Sequence, residues 1–381
     1  MHDCTKRCST TKHQLTMKVM ALASYPIQAA ATRYRLSQFV RPLQERGIEM
    51  SVHPFLDTQT FQALYRRQSL PRTVAGVVKS TFMRALDLVE AGKAEVILVQ
   101  REAMIFGPPA FEWFTARVGK RPMVLDLDDA TYVSYTSPTY GGLGRMLKWF
   151  SKTDDLIRWA TIVVCGNNSI AEYAAGKGAQ TRIIPTVVDT EVFRPSSRPG
   201  DDAAPVLGWI GTHSTFPYLQ TIFPVLSKLA QRHRIRLKIV GAGQDQIDVP
   251  GVEVENLPWD LAREVADFQS IDIGLYPIEE NLHGGWASGK SGFKAIQYMA
   301  VGVPYVATPV GGSSEIGETG LTHLFARTAP EWEIALGELI TNSGRRRVMG
   351  AAGRAHALTH FALNDQADKL AEVLREAAHR N

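Results

Sequence analysis

The stretch that most constrains this chain is residues 284–312, GGWASGKSGFKAIQYMAVGVPYVATPVGG. Small residues open it. Phe293, Ile296, Met299 and Ala300 then recur at the spacing of one buried helix face, with Ser291 in place as the N-cap. Gly302 closes the helix, and residues 303–307, VPYVA, read as a short buried strand that leads into a second glycine loop. Lys290 and Lys294 are four apart, so both fall on one side of the helix's first turn. The unpaired N–H groups of a helix start carry partial positive charge, and two ammonium groups beside them make an anion site. Ser291 and Gly292 leave room for a phosphate to approach the backbone. The stretch therefore reads as a seat for a diphosphate; the plainer alternative is two solvated lysines on an ordinary α/β helix.

A chain of 381 residues exceeds one comfortable core and points to two domains. Its 45% apolar and 21% charged residues are those of a soluble globular protein. Of three cysteines, Cys4 and Cys8 lie in the N-terminal tail, so no disulfide framework is expected and a reducing cytoplasm is. With His2 and His13 these cysteines superficially resemble metal ligands, but the tail is polar and lacks a second ligand pair; residues 1–16 read as disordered. No apolar run is long enough to span a bilayer. The weak signal-peptide look of VMALASYPIQAAA is broken by Tyr25, Pro26 and Gln28, and a first β-strand explains it better. Residues 1–200 hold 26 Lys+Arg against 17 Asp+Glu, and residues 201–381 hold 16 against 21. A basic first half suggests an anionic partner: acidic lipid, a phosphorylated acceptor or, less well, nucleic acid.

In chain order, residues 17–24 read as a strand, LSQFVRPLQERG as an amphipathic helix ending at Gly47, and IEMSVHPF as the next strand. This βαβ opening lacks GxGxxG, which argues against a nicotinamide cofactor. Arg33 and Arg35 follow the first strand, where ligands of open α/β sheets lie; a surface ion pair is the equal alternative. Residues 60–92 read as helical and basic. EVILVQ is a buried strand ending at Arg101, and PMVLDLDDA another that ends in Asp126, Asp128 and Asp129. Carboxylates at a strand end can bind a metal, orient an acceptor hydroxyl or accept a proton, and can equally cap the next segment or pair with Arg101. GRMLKWFSKTDDLIRWA mixes aromatics with cations in a pattern suited to an anionic membrane, although packing of its aromatics inside the domain is the preferred reading.

Residues 195–204 read as a linker. PVLGWIG then delivers a strand into GTHSTFP, and Pro217 opens a helix through Leu229, so Gly211, Thr212, Ser214 and Thr215 form a second candidate phosphate loop. Gly241 and Gly243 imitate a dinucleotide fingerprint that fails at Gln246. DIGLYPI is a buried strand leading into the loop of Trp286, and residues 330–378 read as helical.

Taken together, VVCGNNSIAEYA, IIPTVVDTEVF, LGWIGTHST, DIGLYPI and GKSGFKAIQYMAVGVPYVATPVGG resemble glycosyltransferase family 4, over most of the chain from Met17. The resemblance implies an α/β protein of the GT-B fold, two Rossmann-like domains facing a central cleft. Residues 17–194 would be the acceptor domain, 195–204 the linker, 205–360 the donor domain, and 361–381 a C-terminal helix packing across the domain boundary. It implies a retaining, hexosyltransferase-like enzyme that moves a sugar from a nucleotide-diphosphate-sugar to a hydroxyl of a glycan, a lipid-linked acceptor or a small molecule. Its expected place is the cytoplasm, with peripheral contact to an anionic membrane at the inner face.

The family's paired glutamates fall here on Gly289 and Gln297, Gly292 matches its intervening glycine, and GTHSTFP lacks the basic residues often found there. The diphosphate contact therefore passes to the lysines. The catalytic candidates are Lys290, Lys294 and Asp128; those for donor binding are Gly211, Thr212, Ser291, Gly292 and Gln297; those for acceptor binding are Arg33, Arg35, Arg101 and Asp129. No cofactor and no divalent metal are expected, because lysines would neutralise the phosphates, although the DLDD carboxylates keep that question open. The rival readings are a nucleotide-sugar epimerase of the same build and a non-catalytic nucleotide-sugar-binding subunit. Nucleic acid is disfavoured by the lack of a binding module or an interleaved aromatic–basic stripe.

Overall fold

Strands whose every residue is buried must be covered on both faces, and this chain has several. Val96–Gln100, Met123–Leu127, Ile162–Cys165 and Val206–Ile210 are buried at each position, as near-continuous apolar runs of parallel sheets are. The computed structural model describes residues 16–65, 70–134, 142, 147–196, 204–279 and 289–380. The tail 1–15, most of the linker (197–203) and the loop carrying Trp286 (280–288) lie outside them.

The first domain holds β1 (Met17–Ala23), α1 (Ala30–Arg35), α2 (Val40–Glu45), β2 (Ile48–Pro54), α3 (Thr58–Tyr65), α4 (Leu70–Ala91), β3 (Val96–Gln100), α5 (Ala110–Trp113), β4 (Met123–Leu127), α6 (Lys152–Trp159), β5 (Ile162–Cys165), α7 (Asn168–Gly176) and β6 (Thr181–Ile183). The second holds β7 (Val206–Ile210), α8 (Phe216–Gln220), α9 (Phe223–Ala230), β8 (Arg236–Val240), β9 (Glu253–Leu257), α10 (Glu264–Gln269), β10 (Ile273–Tyr276), α11 (Phe293–Ala300), β11 (Tyr305–Ala307), β12 (Leu324–Phe325), α12 (Ala329–Thr341) and α13 (Ser343–His360). A last helix, α14 (Leu363–His379), follows.

Both sheets are parallel, ordered β2-β1-β3-β4-β5-β6 and β12-β11-β10-β7-β8-β9. In each, the first strand lies between neighbours reached in opposite directions, so the loops after β1 and β3, and after β7 and β10, diverge and leave a crevice at the strand C-termini. α14 returns to the first domain. Its Leu370, Ala371 and Leu374 are buried, Asp368 takes Arg46 Nε at 2.6 Å, and Glu376 takes Gln180 Nε2 at 2.9 Å and Arg182 Nη2 at 3.0 Å. One apolar cluster joins Val19, Leu98 and Val164 of the first sheet to Ala295, Tyr298 and Met299 of α11, so the core is continuous across the boundary.

Several local expectations need correction. Ser291 is not the N-cap of α11: Gly292, at φ 67°, holds that position. Lys290 therefore precedes the helix, so the two lysines do not share its first turn. The segment 60–92 is two helices, α3 and α4. The helix opened by Pro217 ends at Gln220 and resumes at Phe223, with Pro224 in the new first turn. Within the aromatic–basic segment Lys152–Trp159 forms a helix and Leu147 is also helical; residues 143–146 lie outside the described residues, and Trp149, at φ 49°, is exposed. Leu156 and Ile157 pack inward, as does Lys152, whose ammonium reaches Glu102 Oε2 at 2.7 Å and Met104 O at 2.7 Å.

Candidate active site between the two sheets

The loop after β3 begins with Arg101 at φ 64°, a conformation that costs a residue with a Cβ on the order of 1–3 kcal/mol and persists only where neighbours over-determine it. Its N–H donates to Asp126 O at 2.8 Å, and its Nε and Nη2 donate to the two oxygens of Asp128 at 2.6 and 2.7 Å. Gln100 Nε2 adds a bond to Asp128 Oδ1 at 3.2 Å. Burial pushes the Asp128 carboxyl up, but the Arg101 charge and hydrogen bonds outweigh it and hold Asp128 below the usual range. Both oxygens of Asp128 are thus committed, the pairing that the sequence left as an alternative.

Asp129 sits differently. Arg101 Nη2 stands 3.7 Å from its Oδ2, and Ala130 N–H donates to its Oδ1 at 3.0 Å. Burial raises its pKa, while Arg101 and then Lys290 oppose the rise. Its field also reaches Tyr218, at the start of α8, and Tyr276, at the end of β10. Burial and then Asp129 push the Tyr218 phenol up to about 12. Asp129 is therefore the first-domain carboxylate that faces the second domain, across the switch points of both sheets.

Lys290 answers it from the other side. Burial lowers its pKa, Asp129 opposes and Arg101 reinforces, and its Nζ lies 5.7 Å from the Tyr218 ring centroid. Its backbone is pinned: Lys290 O accepts from Gly312 N–H at 2.7 Å and from Asn167 Nδ2 at 3.0 Å. Asn167 also caps α7, its Oδ1 accepting from Ile170 N–H at 2.9 Å. One side chain thus starts a first-domain helix and clamps a second-domain loop. Beside it, a Cβ on Gly289 would overlap the Cβ of Ala130, and Glu315 Oε2 accepts from Asn168 N–H at 3.2 Å. A Cβ on Gly292 would stand 2.7 Å from the Gly312 carbonyl carbon, and one on Gly312 would stand 2.7 Å from the Ser291 carbonyl carbon. The two glycine loops therefore pack backbone to backbone, through Ser291.

Lys294, in the first turn of α11, has other neighbours. Its Nζ donates to Gln297 Oε1 at 2.9 Å and lies 5.2 Å from the Phe268 ring centroid. Burial brings its pKa down to about 8; Glu264 opposes this and Arg33 reinforces it. Gln297 is fully buried, and its Nε2 finds no partner among the described residues. Glu264 Oε2 accepts from Arg33 Nη2 at 3.0 Å and from Tyr34 Oη at 2.7 Å, and Arg33 lies over Trp259 at 5.2 Å. Arg33 therefore bridges the domains.

Arg35, two residues on, points away, because residues two apart on a helix do not share a face. It makes a bidentate pair with Asp126 and donates to Ile184 O at 2.7 Å, all buried. It braces the first domain and does not line the crevice, contrary to the expectation from its position after β1. At the end of β7, Gly211 is required by close approach: a Cβ there would overlap the Trp209 ring, and one on Gly241 (φ 84°) would overlap Gly211 O. Thr212 is exposed, with Oγ1 2.8 Å from Ser214 Oγ and its N–H donating to Thr215 Oγ1 at 3.2 Å. Among the described residues no three His, Cys, Asp or Glu side chains group as a metal site.

Tyr218, Tyr276, Asn167 and Glu264 were not singled out from the sequence. Asn167 had a legible signal, an Asn before a helix. Glu264 had none, since Arg33 lies 231 residues away.

Residues 204–342 match the family described as Glycosyl transferases group 1. No curated protein matches the sequence. The whole chain superposes on solved structures at low identity. A sucrose-phosphate synthase from Thermosynechococcus elongatus is 14% identical with a TM-score of 0.67, over 96% of this chain and 100% of that one. HepE from Anabaena, solved with UDP-glucose, is 16% identical with a TM-score of 0.64, over 94% and 100%. A glycosyltransferase from Rickettsia africae is 11% identical with a TM-score of 0.66, over 95% and 98%. The fold is GT-B: α/β, with two Rossmann-like domains facing a cleft.

Proposed function

We propose that this protein transfers a sugar from a nucleotide-diphosphate-sugar to an acceptor hydroxyl with retention of configuration. The observation that carries the reading is Lys290: a largely desolvated ammonium, fixed through its own backbone, opposite Asp129 and Arg101 at the crevice. A leaving diphosphate gains negative charge as the glycosidic bond breaks, and a cation already placed in a water-poor site stabilises that charge without reorganising. Lys294, charged below about pH 8, is the second cation. Asp129, already an acceptor-binding candidate, orients the acceptor hydroxyl alone, because Asp128, the expected catalytic carboxylate, is spent on Arg101. With retention the hydroxyl attacks from the face that the diphosphate leaves, so no protein nucleophile takes part. HepE, with UDP-glucose bound, supports this donor class by its fold, and residues 204–342, which match the Glycosyl transferases group 1 family, include both lysines.

The test is a panel of UDP-, GDP- and ADP-sugars scored by thermal shift, then by transfer to acceptors. Lys290→Ala should weaken the best donor by ~1.5–3 kcal/mol, about 10- to 150-fold in Kd. No stabilisation by any donor, or an unchanged Kd in the variant, would refute the proposal. A donor-binding protein without transfer is the second reading. It is favoured by Gln297, which is buried against Lys294 where the family carries a carboxylate, and it predicts binding with no turnover for any acceptor.

A further inference from the structure

The helix α4 is apolar on two sides. Inward, Val77 packs on the cluster of Phe55 and Leu64, and Leu88 and Ala91 join that of Ile97 and Phe111, with small and polar groups between them. A Cβ on Gly76 would overlap Thr60, Ser80 is buried, and Arg84 is buried with Nη2 on Ala23 O and His53 O at 3.2 and 3.0 Å. At about 100° per residue, Val74, Val78, Phe82, Leu86 and Val89 fall within one sector about 120° wide on the opposite side. All five are exposed, Phe82 by 65% and Val89 by 67%. Pro71, Ala75 and Ala85 share the sector, so it holds no polar residue over 22 residues of helix, about 33 Å. Such a band exceeds what scattered surface residues account for and marks a contact surface.

Its borders identify the partner. Exposed Arg72 and Lys79 run along one edge of the band, Lys79 3.4 Å from Asp57, and Glu90 shares that edge with its carboxylate 2.8 Å from Lys93. Leaving out the buried Arg84, residues 66–93 hold five basic and two acidic residues. α5, which packs against α4, ends at exposed Trp113; the turn after it carries exposed Phe114 and Arg117, and Lys120 and Arg121 follow. Apolar residues rimmed by cations and aromatics are what a helix lying in the headgroup region of an anionic bilayer presents. No helix among the described residues is long and apolar enough to cross a membrane, so α4 would lie in its plane.

We infer that the outward face of α4 docks the first domain onto an anionic lipid surface. The inference stands on this face alone and holds or fails independently of the transferase reading. The test is flotation of the full chain with phosphatidylcholine vesicles, with and without phosphatidylglycerol, beside Val78→Asp/Phe82→Asp and the milder Phe82→Gln, each first shown to melt as the wild type does. Wild-type protein should float with the anionic vesicles and less with neutral ones, the double variant should bind about ten-fold or more weakly, and Phe82→Gln should fall between. Absence of flotation with anionic vesicles, or flotation indifferent to both variants, overturns it. So does a dimer, seen by light scattering without lipid, that the same variants dissolve while vesicles capture nothing; the band would then belong to a second copy.

Discussion

Lys294 gives the sharpest test of the diphosphate seat, because its titration is displaced into an accessible range. Its pKa of about 8 against an ordinary 10.5 corresponds to about 3 kcal/mol opposing the charged form, chiefly through burial. A bound diphosphate would reverse that by supplying the missing counter-charge. If binding restores the ordinary value, only the protonated fraction of the free protein binds well. That fraction is about nine tenths near pH 7 and about one tenth near pH 9, so donor affinity should fall about ten-fold across the interval. About half a proton should be taken up on binding near pH 8, readable by calorimetry in buffers of different ionisation enthalpy. Lys294→Met should bind weakly and without this slope; Lys294→Arg should bind without the slope because its charge persists. The stability trend has a defined sign. The folded value lies below the unfolded one, so the unfolded chain holds more protons between the two. The penalty is complete below about 8 and is relieved as pH rises towards 10.5. Over that window the wild type should gain stability relative to Lys294→Met. A flat wild-type affinity, or the same slope in Lys294→Met, would remove Lys294 from the phosphate site.

Two further predictions concern the frame of the site. Asp126→Asn strands a buried guanidinium and should cost about 3–5 kcal/mol in denaturant unfolding, with much of the loss recovered in Arg35→Met/Asp126→Leu; a cost below about 1 kcal/mol would contradict the brace. Gly289→Ala places a methyl where Ala130 already stands and should slow transfer far more than it lowers the melting temperature, with Ala130→Gly restoring part of the rate; equal rates in Gly289→Ala and wild type would show that this seam does not set the geometry of the crevice.

Much of the architecture was legible because its signals are local. Five-residue runs such as VILVQ and VLGWI declare strands covered on both faces, and residues 293–300 show their buried helix face at the expected spacing. The start of that helix was misread. A serine before an apolar run looks like a cap, and nothing local reveals that Gly292 is needed at φ 67° against Gly312. The reading of α4 as merely helical and basic missed its exposed apolar face, because periodicity marks an apolar stripe without saying which way it turns.

The sequence by itself determined the α/β class, the two-domain division and the strand ends at which polar residues gather, since these follow from short-range spacing of apolar side chains and small residues. Tertiary structure decided which of those polar residues remain available. It sent Arg35 into the core with Asp126 and closed Asp128 onto Arg101. It also set Asp129 opposite Lys290 and tied Arg33 to Glu264 across the interface. Whether a charge meets its partner or is left facing the crevice depends on groups brought together from distant parts of the chain, and no spacing along the chain encodes that distance.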